Sequence, residues 1–371
     1  MSDIAAETSV ATIRPPRATT GPIGWARQNL FSTWGNTVLT LLGIYIAYVA
    51  VVGAVNWAFL NATWVGEDGT ACTRAGAGAC WPFVQAKFSQ FMYGRYPFEE
   101  RWRVDLTYVL AVAGLVPLMI PSVPGKLWLA IYTIGIFPIL AFFLLYGGLG
   151  LSVVPTEMWG GLLVTLVVAS VGIAGAFPIG ILLALGRRSQ MPIVRWVSIG
   201  FIEFVRGVPL ITVLFMASVM LPLFLPTGVT IDKLVRALIM VALFSAAYLA
   251  EVIRGGLQAI PKGQFEAADA LGLTYPMKMG LIVLPQALKL VIPGIVNTFI
   301  GLFKDTSLVL IIGIFDLLGI VQQNMTDAKW FSPTTAMTGY VFAGLVFWIF
   351  CFGMSRYSIF VERRLAAGDR R

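Results

Sequence analysis

A chain of 371 residues that is 58% hydrophobic and only 12% charged lies far from the globular norm of about a quarter charged residues, and a soluble fold of this make-up would expose mostly apolar surface. Mean hydropathy of +0.84 and repeated apolar runs near the ~20 residues that cross a hydrocarbon core point to a membrane-embedded chain. The net charge of +8 does not indicate nucleic acid, because Lys and Arg sit in the tails and between apolar runs instead of forming a stripe.

Residues 1–33 include Arg14, Arg17 and Arg27 but no short apolar core with a small-residue cleavage site, so they read as a disordered cytoplasmic tail and not as a secretory signal. Apolar runs follow at 34–60, 106–123, 127–149, 158–185, 197–225, 234–252, 279–302 and 335–354. Their length and lack of period-two alternation predict helices over barrel strands, hence an all-α integral membrane protein with about eight transmembrane helices. Basic residues collect on the cytoplasmic side of a membrane. Arg187, Arg188, Arg195, Arg254, Lys262 and Lys278 fall on the side of the N-terminal tail, whereas the short outer loops 150–156 and 226–232 hold no Lys or Arg. Both termini are therefore expected in the cytoplasm, with 361–371 as a second tail. The long first outer loop, 61–103, contains Cys72 and Cys80; on that oxidising side a disulfide and two free thiols both fit. Cys351 lies in the last run and reads as a packing residue.

Between the seventh and eighth runs, 307–318 is apolar but too short to cross, which suggests a re-entrant or interfacial helix. Non-helical backbone at membrane depth is tolerated where it lines a cavity, so Lys304, Asp305, Thr306 and Ser307, at its start, are expected to border one.

The most informative stretch is 251–272, EVIRGGLQAIPKGQFEAADALG. Pro261 and Gly263 are expected to break the incoming helix, and Gln264 to Leu271 to form a short one capped at Gly272, with Thr274 as N-cap of the next. Ala267, Ala268 and Ala270 would let a partner backbone approach, and Glu266 and Asp269 would offer charge to its Arg or Lys. An ordinary loop helix on the membrane surface fits the same residues.

The run Glu266-Ala267-Ala268 and Gly272, with Arg254-Gly255 and Pro261 upstream, resembles the EAA loop of bacterial ABC importer permeases, in particular the polar amino-acid (histidine/glutamine) branch. GGLLVTL at 160–166, EFVRGVPL at 203–210 and FKDTSL at 303–308 agree with that branch in one register, and the resemblance covers about 158–364. It implies that Gly263, Gln264, Glu266, Ala267, Ala268, Asp269, Ala270 and Gly272 form a coupling helix seated on an ATP-binding subunit, with a coupling loop over 254–280. It further implies a five-span type I importer core over 158–360, preceded by three extra spans in 34–157. That longer layout is similar to the long permease of general L-amino-acid importers, which pairs with a second permease, a dimeric ATPase and a periplasmic amino-acid-binding protein. ATP and Mg would then belong to the partner ATPase, with no cofactor in this chain.

Charges inside the membrane need a partner or water. Glu203 and Arg206, three apart, can pair along one helix face or contact substrate or a neighbouring subunit. Asn297, Lys304, Asp305, Thr306 and Ser307 are the remaining path candidates, since a zwitterionic amino acid needs donors for its carboxylate and acceptors for its ammonium. No GxxxxGK[ST] occurs and there is no His, which removes a phosphate-cradling loop, Ser-His-Asp hydrolysis and the commonest metal ligands, so a non-enzyme without a metal site is expected. The competing reading is a secondary amino-acid transporter driven by an ion gradient, with Pro178, Pro209 and Pro293 as helix interruptions.

Overall fold

The computed structural model describes residues 21–226 and 228–368. Part of the stretch read as a disordered tail is helical: α1 spans Gly21–Asn29, with Pro22 in the first turn where its missing N–H costs nothing, and Asn29 Nδ2 donating to Trp25 O at 2.9 Å. Arg14, Arg17, Arg370 and Arg371 lie outside the described residues.

Among the described residues, seven helices are long and apolar enough to span a bilayer, and a broken pair makes an eighth. In chain order α2 is Trp34–Leu60, α3 the short Trp81–Tyr93, α4 Phe98–Met119, α5 Lys126–Tyr146 and α6 Gly161–Arg187. Then come α7 Pro192–Gly207 and α8 Leu210–Phe224, which meet at 103°, and α9 Lys233–Ala259. The bend falls at Val208-Pro209, because Pro209 lacks an N–H and excludes helical geometry for the residue before it.

After α9 come α10 Lys262–Ala270, α11 beginning at Tyr275–Met277 and continuing through Leu284–Leu290, α12 Ile292–Ile312, α13 Leu317–Met325 and α14 Thr335–Gly368. Two expectations are corrected here. The seventh run does not form one helix over 279–302; it breaks at Val291, and Pro293 sits in the first turn of α12. The 307–318 segment is not a separate re-entrant helix. Its first half is the tightened end of α12, Thr306–Ile312, and its second half starts α13, where Asp316 accepts from Gly319 N and Leu318 N.

The centre of the bundle is the pair α6 and α9. Gly172, Ala176 and Gly180 recur every four residues along α6 and are or border on the buried face. A Cβ on Gly180 would stand 3.2 Å from Ala246 O, so the stripe permits the close backbone approach typical of membrane helices. Val168, Val241, Leu302 and Phe303 close the same core with α12.

The 61–103 loop is not a free-standing insertion. Cys72 and Cys80 are disulfide-bonded with Cα atoms 5.7 Å apart, and both join Phe83, Phe91, Leu162, Leu317, Val321 and Trp330 in one buried cluster. Backbone bonds complete the seal: Gly69 N–H donates to Lys329 O at 2.8 Å, and Cys80 N–H to Thr338 Oγ1 at 2.8 Å. Thus α3 and the disulfide loop cap one end of α6, α13 and α14. None of the residues of α2 is fully buried, as suits a helix whose sides face lipid.

Candidate functional site

At the end of the bundle opposite the disulfide cap, α9 leads through Pro261 into α10. Pro261 has extended backbone (φ −58°, ψ 142°) and turns the chain, whereas Gly263 lies inside α10 and breaks nothing. At the other end Gly272 adopts φ +68°, a left-handed cap that lets Gly272 N–H bond Asp269 O at 2.9 Å and Leu273 N–H bond Ala268 O at 3.2 Å. Thr274 is extended and stands at the N-cap of α11, but its side chain makes no capping bond.

The two faces of α10 differ. Ala268 is 0% exposed and Phe265 is half-buried among Ile253, Leu257 and Val283, so the i, i+3 pair fastens the helix to its own spans. Arg188 holds it from the side, with its guanidinium 5.6 Å from the Phe265 ring and Nη1 donating to Leu257 O at 2.8 Å. Gln286 donates to Gln264 at 3.1 Å. Gly263, Glu266, Ala267, Ala270 and Gly272 stay uncovered, together with Leu271 at 75% exposure. Two sequence expectations change. Ala268 faces inward and cannot admit a partner, and Asp269 is engaged by Lys278, leaving Glu266 as the carboxylate of this surface with no ion pair among the described residues.

Near the C-terminal ends of α6 and α9 lies a cluster of two carboxylates and three guanidiniums. Glu251 Oε1 accepts from Arg187 Nη1 at 2.8 Å, and its Oε2 accepts from Arg254 Nε at 3.0 Å and Nη2 at 2.8 Å. Arg206 Nη1 stands 3.6 Å from the same Oε2. Glu203 bonds Arg187 Nη1 at 2.8 Å. The pair Glu203–Arg206 expected along one helix therefore does not form; each reaches across to another helix. Both side chains stay substantially exposed, Glu203 at 55% and Arg206 at 36%.

On α12, Asn297 and Lys304 are exposed at i and i+7, two turns apart on one side. Lys304 has no ion pair among the described residues. Asp305 is half-buried. Thr306 is 0% exposed with its hydroxyl on Phe303 O at 2.8 Å, and Ser307 Oγ donates to Lys304 O at 2.9 Å, so neither offers a free hydroxyl donor on that side.

The profile of the family described as binding-protein-dependent transport system inner membrane component matches residues 176–367, more than half the chain. The chain belongs to this family. It is also 54% identical over 367 residues to the inner membrane amino-acid ABC transporter permease protein YhdY of Escherichia coli (strain K12), covering 97% of this chain and 99% of that one. The glutamate/glutamine/aspartate/asparagine transport system permease protein BztC of Rhodobacter capsulatus is 39% identical over 440 residues, covering all of both chains. A crystal structure of an amino acid ABC transporter with histidines is 30% identical, covers 55% of this chain and 92% of its own, and superposes with a TM-score of 0.48. Both full-length relatives extend over the three spans that precede the family match.

Membership makes the chain a multi-pass inner-membrane permease, the membrane component of an ABC transporter that works with ATPase and substrate-binding partners, and disfavours the gradient-driven transporter. Sequence reasoning did not single out Glu251, Arg187 or Arg188 in this permease. Glu251 and Arg254 stand at i, i+3 beside the family loop, which was the only available signal; the link to Arg187 joins residues 64 apart.

Proposed function

We propose that the chain is the permease subunit of an ATP-driven importer of polar L-amino acids, with α10 as the coupling helix. ATP and Mg are bound by a separate dimeric ATPase, this chain having no phosphate-cradling loop. A second, related permease half completes the path, a periplasmic amino-acid-binding protein delivers substrate, and both termini are cytoplasmic. The observation that carries this reading is the two-sidedness of α10: pinned to its own spans through Phe265 and Ala268, it presents Glu266, Ala267, Ala270 and Leu271 with nothing over them. The proteins named for amino-acid transport among its relatives support the substrate class.

The path runs along the side of α12 that carries Asn297 and Lys304. An unpaired ammonium in a span is costly against lipid tails, so this side faces water or the second permease, and Lys304 supplies a donor for a substrate carboxylate, with Asp305 beside it.

Glu266→Lys reverses the exposed carboxylate of the docking face without touching a span. It is expected to leave permease in the membrane and to reduce co-purifying ATPase at least about ten-fold, a loss of ~1.4 kcal/mol. Wild-type recovery of the ATPase contradicts the docking assignment. Lys304→Ala is expected to lower uptake with the ATPase still bound, and unchanged uptake removes Lys304 from the path.

A further inference from the structure

We propose that Glu251 is the latch that carries movement of α10 to the elbow between α7 and α8. The inference rests on the coupling role of α10 given above. Glu251 lies on the helix that runs directly into α10, eight residues before its last residue, Ala259, or about 12 Å at 1.5 Å per residue. Its side chain is 16% exposed, and both its oxygens are occupied by guanidiniums from two helices: Arg187 of α6 on Oε1 and Arg254 of α9 on Oε2.

The elbow side of the contact is looser. Glu203 and Arg206 occupy the last turn of α7, immediately before the Val208-Pro209 break, with Glu203 55% exposed and Arg206 3.6 Å from Glu251 Oε2. Arg206 also lies 5.8 Å from the ring of Tyr248, three residues before Glu251 on α9. The charged contacts of the inner end of α7 are one guanidinium to α9 and the Arg187–Glu203 pair to α6, on either side of Val205, which packs into the core. Partly solvated charge pairs of this kind are weak individually and are remade at little cost, unlike the buried Ser198, Ile202 and Val205 that pack α7 along its length.

Charge makes Glu251 decisive. Three guanidiniums face two carboxylates, and removing Glu251 leaves Arg187, Arg206 and Arg254 sharing Glu203 alone. Their mutual repulsion then pushes the end of α7 away from α6 and α9. Meanwhile Arg188, next to Arg187, grips α9 at Leu257 O and α10 at Phe265. A pull on α10 thus reaches the C-terminal ends of α6 and α9 together, and Glu251 is where both meet the elbow. It is a positioning residue and touches no substrate.

The test uses the complete complex in proteoliposomes, scoring ATP hydrolysed per amino acid imported and the stimulation of hydrolysis by loaded binding protein. Glu251→Gln, which keeps shape and removes charge, is expected to bring ATPase down at wild-type stoichiometry yet raise the ATP-to-substrate ratio at least about five-fold, the lower end of ordinary coupling free energies. Glu251→Asp, which keeps charge but is one methylene shorter, is expected to fall between. A purely structural role would lower the amount of assembled complex without moving that ratio. A wild-type ratio in both variants overturns the latch, and a wild-type ratio in Glu251→Asp overturns it if Glu251→Gln does not assemble. Absence of substrate-stimulated hydrolysis in the unsubstituted complex would instead overturn the importer reading, and the latch with it.

Discussion

Two carboxylates at the disulfide end illustrate how much is decided by single side chains outside the membrane. Lys87 bonds Asp327 and holds its carboxyl below the usual range, so its contribution to stability is present above the unfolded value near ~4 and is lost on acidification. Asp316 behaves in the opposite sense. Burial pushes it up to about 6 despite the backbone N–H groups it caps, so its contribution is present below ~4 and is lost as pH rises through about 6. Asn caps a helix as well as Asp. The melting temperature of Asp316→Asn relative to the unsubstituted protein in detergent should therefore climb between pH 4 and pH 7; a difference that stays flat across that interval contradicts the assignment of burial as the dominant cause. Neither residue stood out in the sequence, because burial of Asp316 arises from α6 and α13 coming together, with Thr165 Oγ1 accepting from Leu317 N at 3.0 Å.

Among elements, α10 was legible nearly to its ends, since Pro261 and Gly272 act locally and need no distant partner. What the pattern did not reveal is which face is spare. Ala267, Ala268 and Ala270 are alike in sequence, and only the packing of α10 on its own spans sets Ala268, at 0% exposure, apart from the other two. The same limit explains the broken span: Pro209 marks an interruption, but the 103° turn depends on α7 lying against α6 and α9. The cap of α3 and its disulfide was legible as two cysteines eight apart and illegible as a lid on the core, because its partners Leu317 and Trp330 lie more than 200 residues on. Closing so short a loop is worth about 2–3 kcal/mol in the chain-entropy account. The double substitution Cys72→Ser with Cys80→Ser should raise hydrogen exchange in Trp81–Tyr93 and leave exchange in Lys262–Ala270 unchanged. Equal protection of the cap with and without the disulfide contradicts this.

At the scale of the whole molecule, the two ends of the bundle have separate tasks joined by α6 and α9, each 27 residues and about 40 Å long. One end is sealed by aromatic packing and a disulfide; the other carries a helix with an uncovered face and a charge cluster at an elbow. The eight spans could be counted from apolar runs because lipid imposes one requirement on every segment, whereas the seventh span shifted by about ten residues because the chain breaks at Val291 and Pro293 opens the next helix. The central claim is that this permease moves amino acids only when a separate ATPase turns over. Its most direct measurement is uptake of a panel of radiolabelled polar L-amino acids into proteoliposomes holding the complete complex with binding protein. Uptake that requires ATP on the α10 side and survives collapse of all ion gradients is the result expected. Uptake that proceeds without ATP and vanishes with an ion gradient would contradict the account.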